Sequence, residues 1–162
     1  MTDSPTTPSY SAHSVRPETG NGYPDAYATS SAGRIKRKLG NHGGITNFGV
    51  NHVTLPAGCQ SSLRHWHTRQ DEFVMVLTGE LVLQTDAGER ILGPGDCAAF
   101  PKGTGDGHAL HNRSDAEATY LEIGDRSEFD EVDYSDVDMG VRWREGEQYF
   151  VRRSDGSVIQ KA

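Results

Sequence analysis

Two cysteines in 162 residues, Cys59 and Cys97, are too few for a disulfide framework, and neither belongs to a Cys-x-x-Cys pair. Both are expected as small, reduced, partly buried side chains, which fits a cytoplasmic protein. No apolar run approaches the length of a membrane span. The opening residues, Met1 to Pro8, have neither a basic region nor an apolar core, so no signal peptide is expected. Basic charge is scarce: Lys and Arg number 16 against 23 Asp and Glu, a formal net charge of −7. An acidic surface repels phosphate backbones, which argues against nucleic acid as a partner. The one basic run, Arg34-Ile35-Lys36-Arg37-Lys38, reads as a solvated edge. Residues 1–46 hold no helix-turn-helix pattern, and neither a phosphate loop nor a dinucleotide fingerprint occurs, so no nucleotide cofactor is expected. No segment of the middle region sustains a 3.6-residue apolar period over three turns, which leaves helices minor.

What the chain does have is glycine, 19 residues of it, and with it many tight turns. Residues 1–33 are rich in Ser, Thr, Pro, Gly and Tyr and read as an extended arm, disordered at its start. Tyr10, Tyr23 and Tyr27 would let its later part lie along a globular body. From Asn47 to Ile123, short β-prone runs alternate with turn signals: Asn47–Leu55, Ser62–His67, Glu72–Leu77, Leu81–Gln84, Glu89–Leu92, Cys97–Phe100, His108–Asn112 and Ala116–Ile123. Eight short strands spaced by Gly, Pro and Asp turns predict an all-β sandwich or barrel. The expected organisation is an arm over 1–33, a barrel over 34–124, and a C-terminal part over 125–162. That last part opens with seven carboxylates between Asp125 and Asp138, without calcium-loop spacing, and is read as a solvated acidic loop. A closing hairpin, Gln148–Arg152 with Ser157–Gln160, turns around Ser154-Asp155-Gly156 and would cover a barrel edge.

Three histidines and a glutamate carry the chemistry. Residues i and i+2 of a strand share a face, so His65 and His67 project two imidazoles side by side with Trp66 turned away. Glu72 follows across a tight turn and can return its carboxylate to the same face. His108, at the start of a later strand, can complete the set across a closed barrel. His111 is its rival but has the opposite parity; His52 reads as an ordinary strand residue, and Asp71 sits beside Glu72, but only Glu72 keeps the seven-residue offset to Gly79. Imidazole nitrogens with a carboxylate suit one divalent transition metal ion: zinc, manganese, iron, nickel or copper.

The segment Gly58, six residues, His65-Trp66-His67, four residues, Glu72, six residues, Gly79 resembles the first cupin motif, with one extra residue before the first histidine. The segment Gly95 to Asn112, with Pro101, Gly103 and His108, resembles the second, with two extra residues between Gly103 and His108. The run Leu63 to His67 with Asp71 to Val74, and later Asn112 to Ser114 with Tyr120 to Gly124, looks like a bacterial branch of single-domain cupins. The resemblance implies a double-stranded β-helix, the cupin jelly-roll barrel, with metal on His65, His67, Glu72 and His108. In that family the same scaffold serves isomerases, epimerases, lyases, dioxygenases and plain binders. Three readings therefore stand: a metal-dependent isomerase, epimerase or lyase on a small oxygenated molecule; a metal dioxygenase on a phenolic or enolic substrate; and a non-catalytic small-molecule binder or sensor.

Period 2 turns Val74 and Val76 inward and Phe73, Met75 and Leu77 outward. An apolar outer row needs cover, which with the family's habit predicts a homodimer. Val74, Val76, Phe100 and Leu110 would supply an apolar pocket wall. Tyr120, Glu122 and His111 are available to move protons, though the sequence does not say which of them face inward.

Overall fold

The computed structural model of the chain describes residues 8–162, so the disorder expected at the very start of the arm lies outside the described residues. Two short arm strands, β1 (Glu18–Thr19) and β2 (Ile35–Arg37), precede a single helical turn, α1 (Leu39–His42). The barrel strands follow: β3 (Phe48–Leu55), β4 (His65–His67), β5 (Glu72–Thr78), β6 (Leu81–Thr85), β7 (Gly88–Leu92), β8 (Cys97–Phe100), β9 (Ala109–His111) and β10 (Ala118–Asp125). Each coincides with one of the eight runs expected from the sequence. Four more close the chain: β11 (Val132–Tyr134), β12 (Gly140–Arg144), β13 (Glu147–Val151) and β14 (Val158–Lys161). No helix among the described residues is long and apolar enough to cross a membrane.

One antiparallel sheet runs in the order β1, β2, β3, β10, β5, β8. Opposite it stand a five-stranded sheet, β14, β13, β12, β11, β4, and a three-stranded one, β7, β6, β9. The latter two are stitched together by a bridge between His65 and His108. Between the layers lies one core, drawn from alternate residues: Val53 and Leu55 of β3, Val74 and Val76 of β5, Ala118 and Tyr120 of β10, against Leu81, Leu92 and Leu110. Burying each such aliphatic side chain is worth about 1.5–3 kcal/mol, which is what fixes the register of every strand. The arrangement is the all-β jelly roll expected. Phe73, Met75 and Leu77 point outward, with Met75 and Leu77 exposed, as their parity requires.

The acidic segment departs from expectation. Residues 125–139 are not simply a solvated loop: β11 pairs with β4, setting Val132 against His67 and Tyr134 against His65. Val132 and Tyr134 are buried with Met139, Val141 and Phe150 in a second core. The physical reason is the alternation Val132-Asp133-Tyr134, one buried face and one polar face, which the density of carboxylates obscures. The arm joins the same core. Tyr23 stacks edge-on against Tyr134, ring centroids 5.5 Å apart, and Tyr27 packs beside it. Tyr10 anchors the earlier part by donating its hydroxyl to the Leu39 carbonyl at 2.7 Å.

Candidate metal centre and its cavity

β4, β5 and the entry to β9 bring the four predicted ligands together. His65 and His67 lie on one face of β4, as i and i+2. The His65–His108 bridge is made by both backbone amides, at 3.2 and 2.9 Å, and delivers the third imidazole next to the first. Glu72 opens β5 and reaches in from the facing sheet. Its Oε2 lies 3.1 Å from His108 Nε2, 3.4 Å from His67 Nε2 and 3.8 Å from His65 Nε2. Ligands held about 2.0–2.1 Å from one ion stand about 3.0–3.4 Å from each other, so His108 and His67 stand at the spacing of donors sharing a centre with Glu72, and His65 stands slightly farther off.

The hydrogen bonds around the cluster orient it. His65 gives its Nδ1–H to the Leu63 carbonyl at 2.9 Å, and His67 gives its Nδ1–H to Asp130 Oδ2 at 2.6 Å. Each then turns an Nε2 lone pair toward Glu72. The His108 ring is held by stacking on Phe100, centroids 3.5 Å apart and planes within 1°. His67 Nε2 and Glu72 Oε2 are buried and have no hydrogen-bond partner. Buried polar atoms left this way are costly unless something else satisfies them, and a divalent cation does so for both at once. His65, His67 and Glu72 thus form a group able to hold an ion, their donor atoms all within 4.8 Å of one another.

Electrostatics agree with that role. Burial holds the His65 imidazole down at about 4, the neighbouring His108 and His67 reinforcing it against Glu72, so His65 is neutral and free to donate its lone pair. Burial works to raise the Glu72 carboxyl, but His108, His65 and His67 outweigh it and bring it to about 2. For His67, burial lowers and Asp130 raises, and the carboxylate wins.

The rivals lie elsewhere. His111 bonds Gln84 Oε1 through Nε2 at 2.9 Å on the opposite face of β9. His52 faces out of β3 toward His13, ring centroids 6.3 Å apart. Asp71 Oδ1 caps the Lys102 amide at 2.9 Å. The two additional residues before His108 fall in the irregular segment 104–107, where Gly105 has a φ of +77, and His108 still bridges to His65.

Beside the cluster lies a cavity of about 140 Å³, with Val74, Phe100, Leu110 and Tyr120 among its walls. Three of these are apolar residues the sequence assigns to the pocket; Val76 lies deeper, in the core. Tyr120 and Glu122 both face inward. Glu122 accepts from Lys36 Nζ at 2.7 Å and from Asn51 Nδ2 at 2.9 Å. Burial raises its pKa and Lys36 lowers it, with Lys36 prevailing, so the carboxylate is ionised beside the cavity.

Sequence reasoning missed three participants. Asp130 was hidden in the acidic run. Arg34 and Lys36, read as part of a solvated edge, instead line the cavity. The signal that finds them is period 2: Lys36 pairs with Val53 of β3, an inward residue, and Arg34 lies two residues before it.

The family model described as Cupin domain matches residues 51–124. Among solved structures, one from Silicibacter pomeroyi, described as a sugar phosphate isomerase from a cupin superfamily, is 42% identical with a TM-score of 0.88, covering 95% of this chain and 99% of its own. A second, from Acidithiobacillus ferrooxidans and provisionally designated a sugar phosphate isomerase, is 28% identical with a TM-score of 0.72, covering 80% of this chain and 83% of its own. A Thermotoga maritima protein, assigned by prediction as an oxalate decarboxylase, shares the fold at 16% identity and a TM-score of 0.59, over 72% of this chain and 97% of that one. No curated protein sequence matches significantly.

Proposed function

The chain belongs to the cupin superfamily, and on that premise we propose a metal-dependent isomerase acting on a small phosphorylated sugar. The observation that carries the reading is the convergence of three imidazole nitrogens on the buried, otherwise unpartnered Glu72 Oε2, open on one side to a polar-lined cavity. His65, His67, Glu72 and His108 would hold one divalent ion, of zinc, manganese, iron, nickel or copper; three nitrogens and a carboxylate suit any of these. Four protein ligands leave a coordination position for substrate. The ion, when bound, supplies Lewis acidity toward a carbonyl and its neighbouring hydroxyl.

The rest is done by the chain's own groups. Glu122, kept ionised by Lys36, is the carboxylate placed to take the proton from the hydroxyl-bearing carbon and return it to the adjacent carbon. The hydroxyl proton moves the same way, from the hydroxyl oxygen to the former carbonyl oxygen, so carbonyl and alcohol exchange places with no net gain or loss of atoms. Val74, Phe100 and Leu110 exclude water from the reacting carbons. The designation of the 42% identical structure as a sugar phosphate isomerase supports the same substrate class.

Two further properties belong to this reading. Met75, Leu77 and Phe48, exposed on the outer face of the six-stranded sheet, would be covered in a homodimer. A cytoplasmic location, expected from the scarcity of cysteine, also belongs to this reading.

The test is to incubate metal-loaded protein with aldose and ketose phosphates in deuterated water and follow both interconversion and deuterium uptake beside the carbonyl by NMR. Interconversion by the wild type, abolished in Glu72→Ala, supports the reading. Metal-replete protein that converts none of a panel of triose to hexose phosphates contradicts it.

A further inference from the structure

Among the described residues, Arg34 is a cation without a paired counterion. Its Nη1 donates to the Ser61 carbonyl at 2.8 Å and its Nη2 to the Gly20 carbonyl at 3.5 Å. Its Nε–H is buried with no partner. Guanidinium has five N–H donors, so most of this group's capacity is unspent. The other cations of the run are all committed: Lys36 to Glu122 at 2.7 Å, Lys38 to Glu18 at 2.7 Å, and Arg37, on the opposite face, to the Val15 carbonyl at 2.5 Å. No carboxylate pairs with Arg34 among the described residues. A partly buried charge left so is destabilising unless its function is to receive one of opposite sign.

Its position fits that function. Arg34 and Lys36 line both the cavity beside the histidines and an outer cleft of about 390 Å³, which is otherwise lined by residues 18–22 and Lys38, with Glu18 paired to Lys38. A ligand reaching the histidines with one end therefore meets Arg34 along its other part. The two carbonyl bonds fix the guanidinium plane, which is what bidentate capture of an oxyanion requires.

We infer that Arg34, seconded by Lys36, is the anchor for a phosphate monoester, and so the residue that restricts this site to phosphorylated substrates. The inference rests on the isomerase reading for its substrate but makes a binding claim that stands apart from turnover. Part of the ammonium's attraction is spent on Glu122, so Arg34 carries the larger share.

The experiment is isothermal titration of methyl phosphate into the full-length metal-loaded protein, alongside Arg34→Met, Arg34→Lys and Arg37→Met, with metal content measured in each. His65→Ala is titrated too, so that binding on the metal is separated from binding at Arg34. The expected result is binding weakened about tenfold or more in Arg34→Met and less in Arg34→Lys, with Arg37→Met unchanged though it loses the same charge. Metal content stays at the wild-type level in all three, and His65→Ala retains Arg34-dependent binding. Equal affinity of wild type and Arg34→Met overturns the inference, as does an equal loss in Arg37→Met, which would mean a diffuse field instead of a built site. Loss of methyl phosphate binding in His65→Ala overturns it too. Failure of the isomerase assay with Arg34-dependent binding intact would count against the reaction alone.

Discussion

His67 donates its Nδ1–H to Asp130 across 2.6 Å, and Asp130 is buried, its other oxygen receiving the Arg69 amide at 2.7 Å. That pairing joins the acidic segment to the histidine strand and decides which nitrogen of His67 faces Glu72. Asp130 does not touch the centre itself; it positions an imidazole that does.

Asp130→Asn should therefore keep the fold and weaken metal binding by about 10–100-fold, because the amide neither fixes the tautomer nor raises the imidazole's basicity. Competition with a chromophoric chelator measures it. Affinity equal to wild type would leave Asp130 a purely structural residue.

His108→Ala and His111→Ala form a matched pair. The first removes a nitrogen 3.1 Å from Glu72 and should abolish stoichiometric metal. The second removes a hydrogen bond to Gln84 on the other face and should leave metal content unchanged, with at most about 1 kcal/mol lost in stability. The reverse pattern would mean that the strand register before β9 differs from the one described.

Glu122→Gln should cost about 1–3 kcal/mol at neutral pH by leaving Lys36 and Asn51 without their acceptor charge. The folded carboxyl is held below its ordinary 4.5, Lys36 prevailing over burial. Its stabilisation is accordingly present above 4.5 and disappears as pH falls through the lower folded value. Denaturant midpoints of wild type and variant should differ at pH 7 and converge on acidification below 4.5; a constant gap would refute the assignment.

Gly79→Ala should be far more damaging than Gly58→Ala. Both glycines have φ of +75, but a Cβ at Gly79 would sit 2.8 Å from Ala118 Cα, whereas at Gly58 it meets nothing within 4 Å. Expected losses are about 2–4 and about 1–2 kcal/mol, from the strained backbone alone at Gly58 and from strain plus overlap at Gly79. Urea titrations of the two variants compare them directly.

The eight central strands and the four candidate ligands were legible because strand period, turn residues and ligand spacing are all local signals. The parity that prefers His108 to His111 needs nothing beyond β9 itself. Asp130 was not legible, since its value depends on β11 pairing with β4, a contact between residues more than sixty positions apart. Arg34 was missed for a related reason: a basic run beside an irregular arm looks solvated until β2 is known to pair with β3 and turn alternate residues inward. Long-range pairing, not composition, made both of them site residues.

The central claim is one divalent ion on His65, His67, Glu72 and His108, and elemental analysis of the purified protein tests it most directly. The account predicts about one equivalent of a transition metal in the wild type and near none in His65→Ala and Glu72→Ala. Wild-type protein that holds no ion even after incubation with zinc, manganese, iron, nickel and copper salts, or variants that hold as much as wild type, would contradict it.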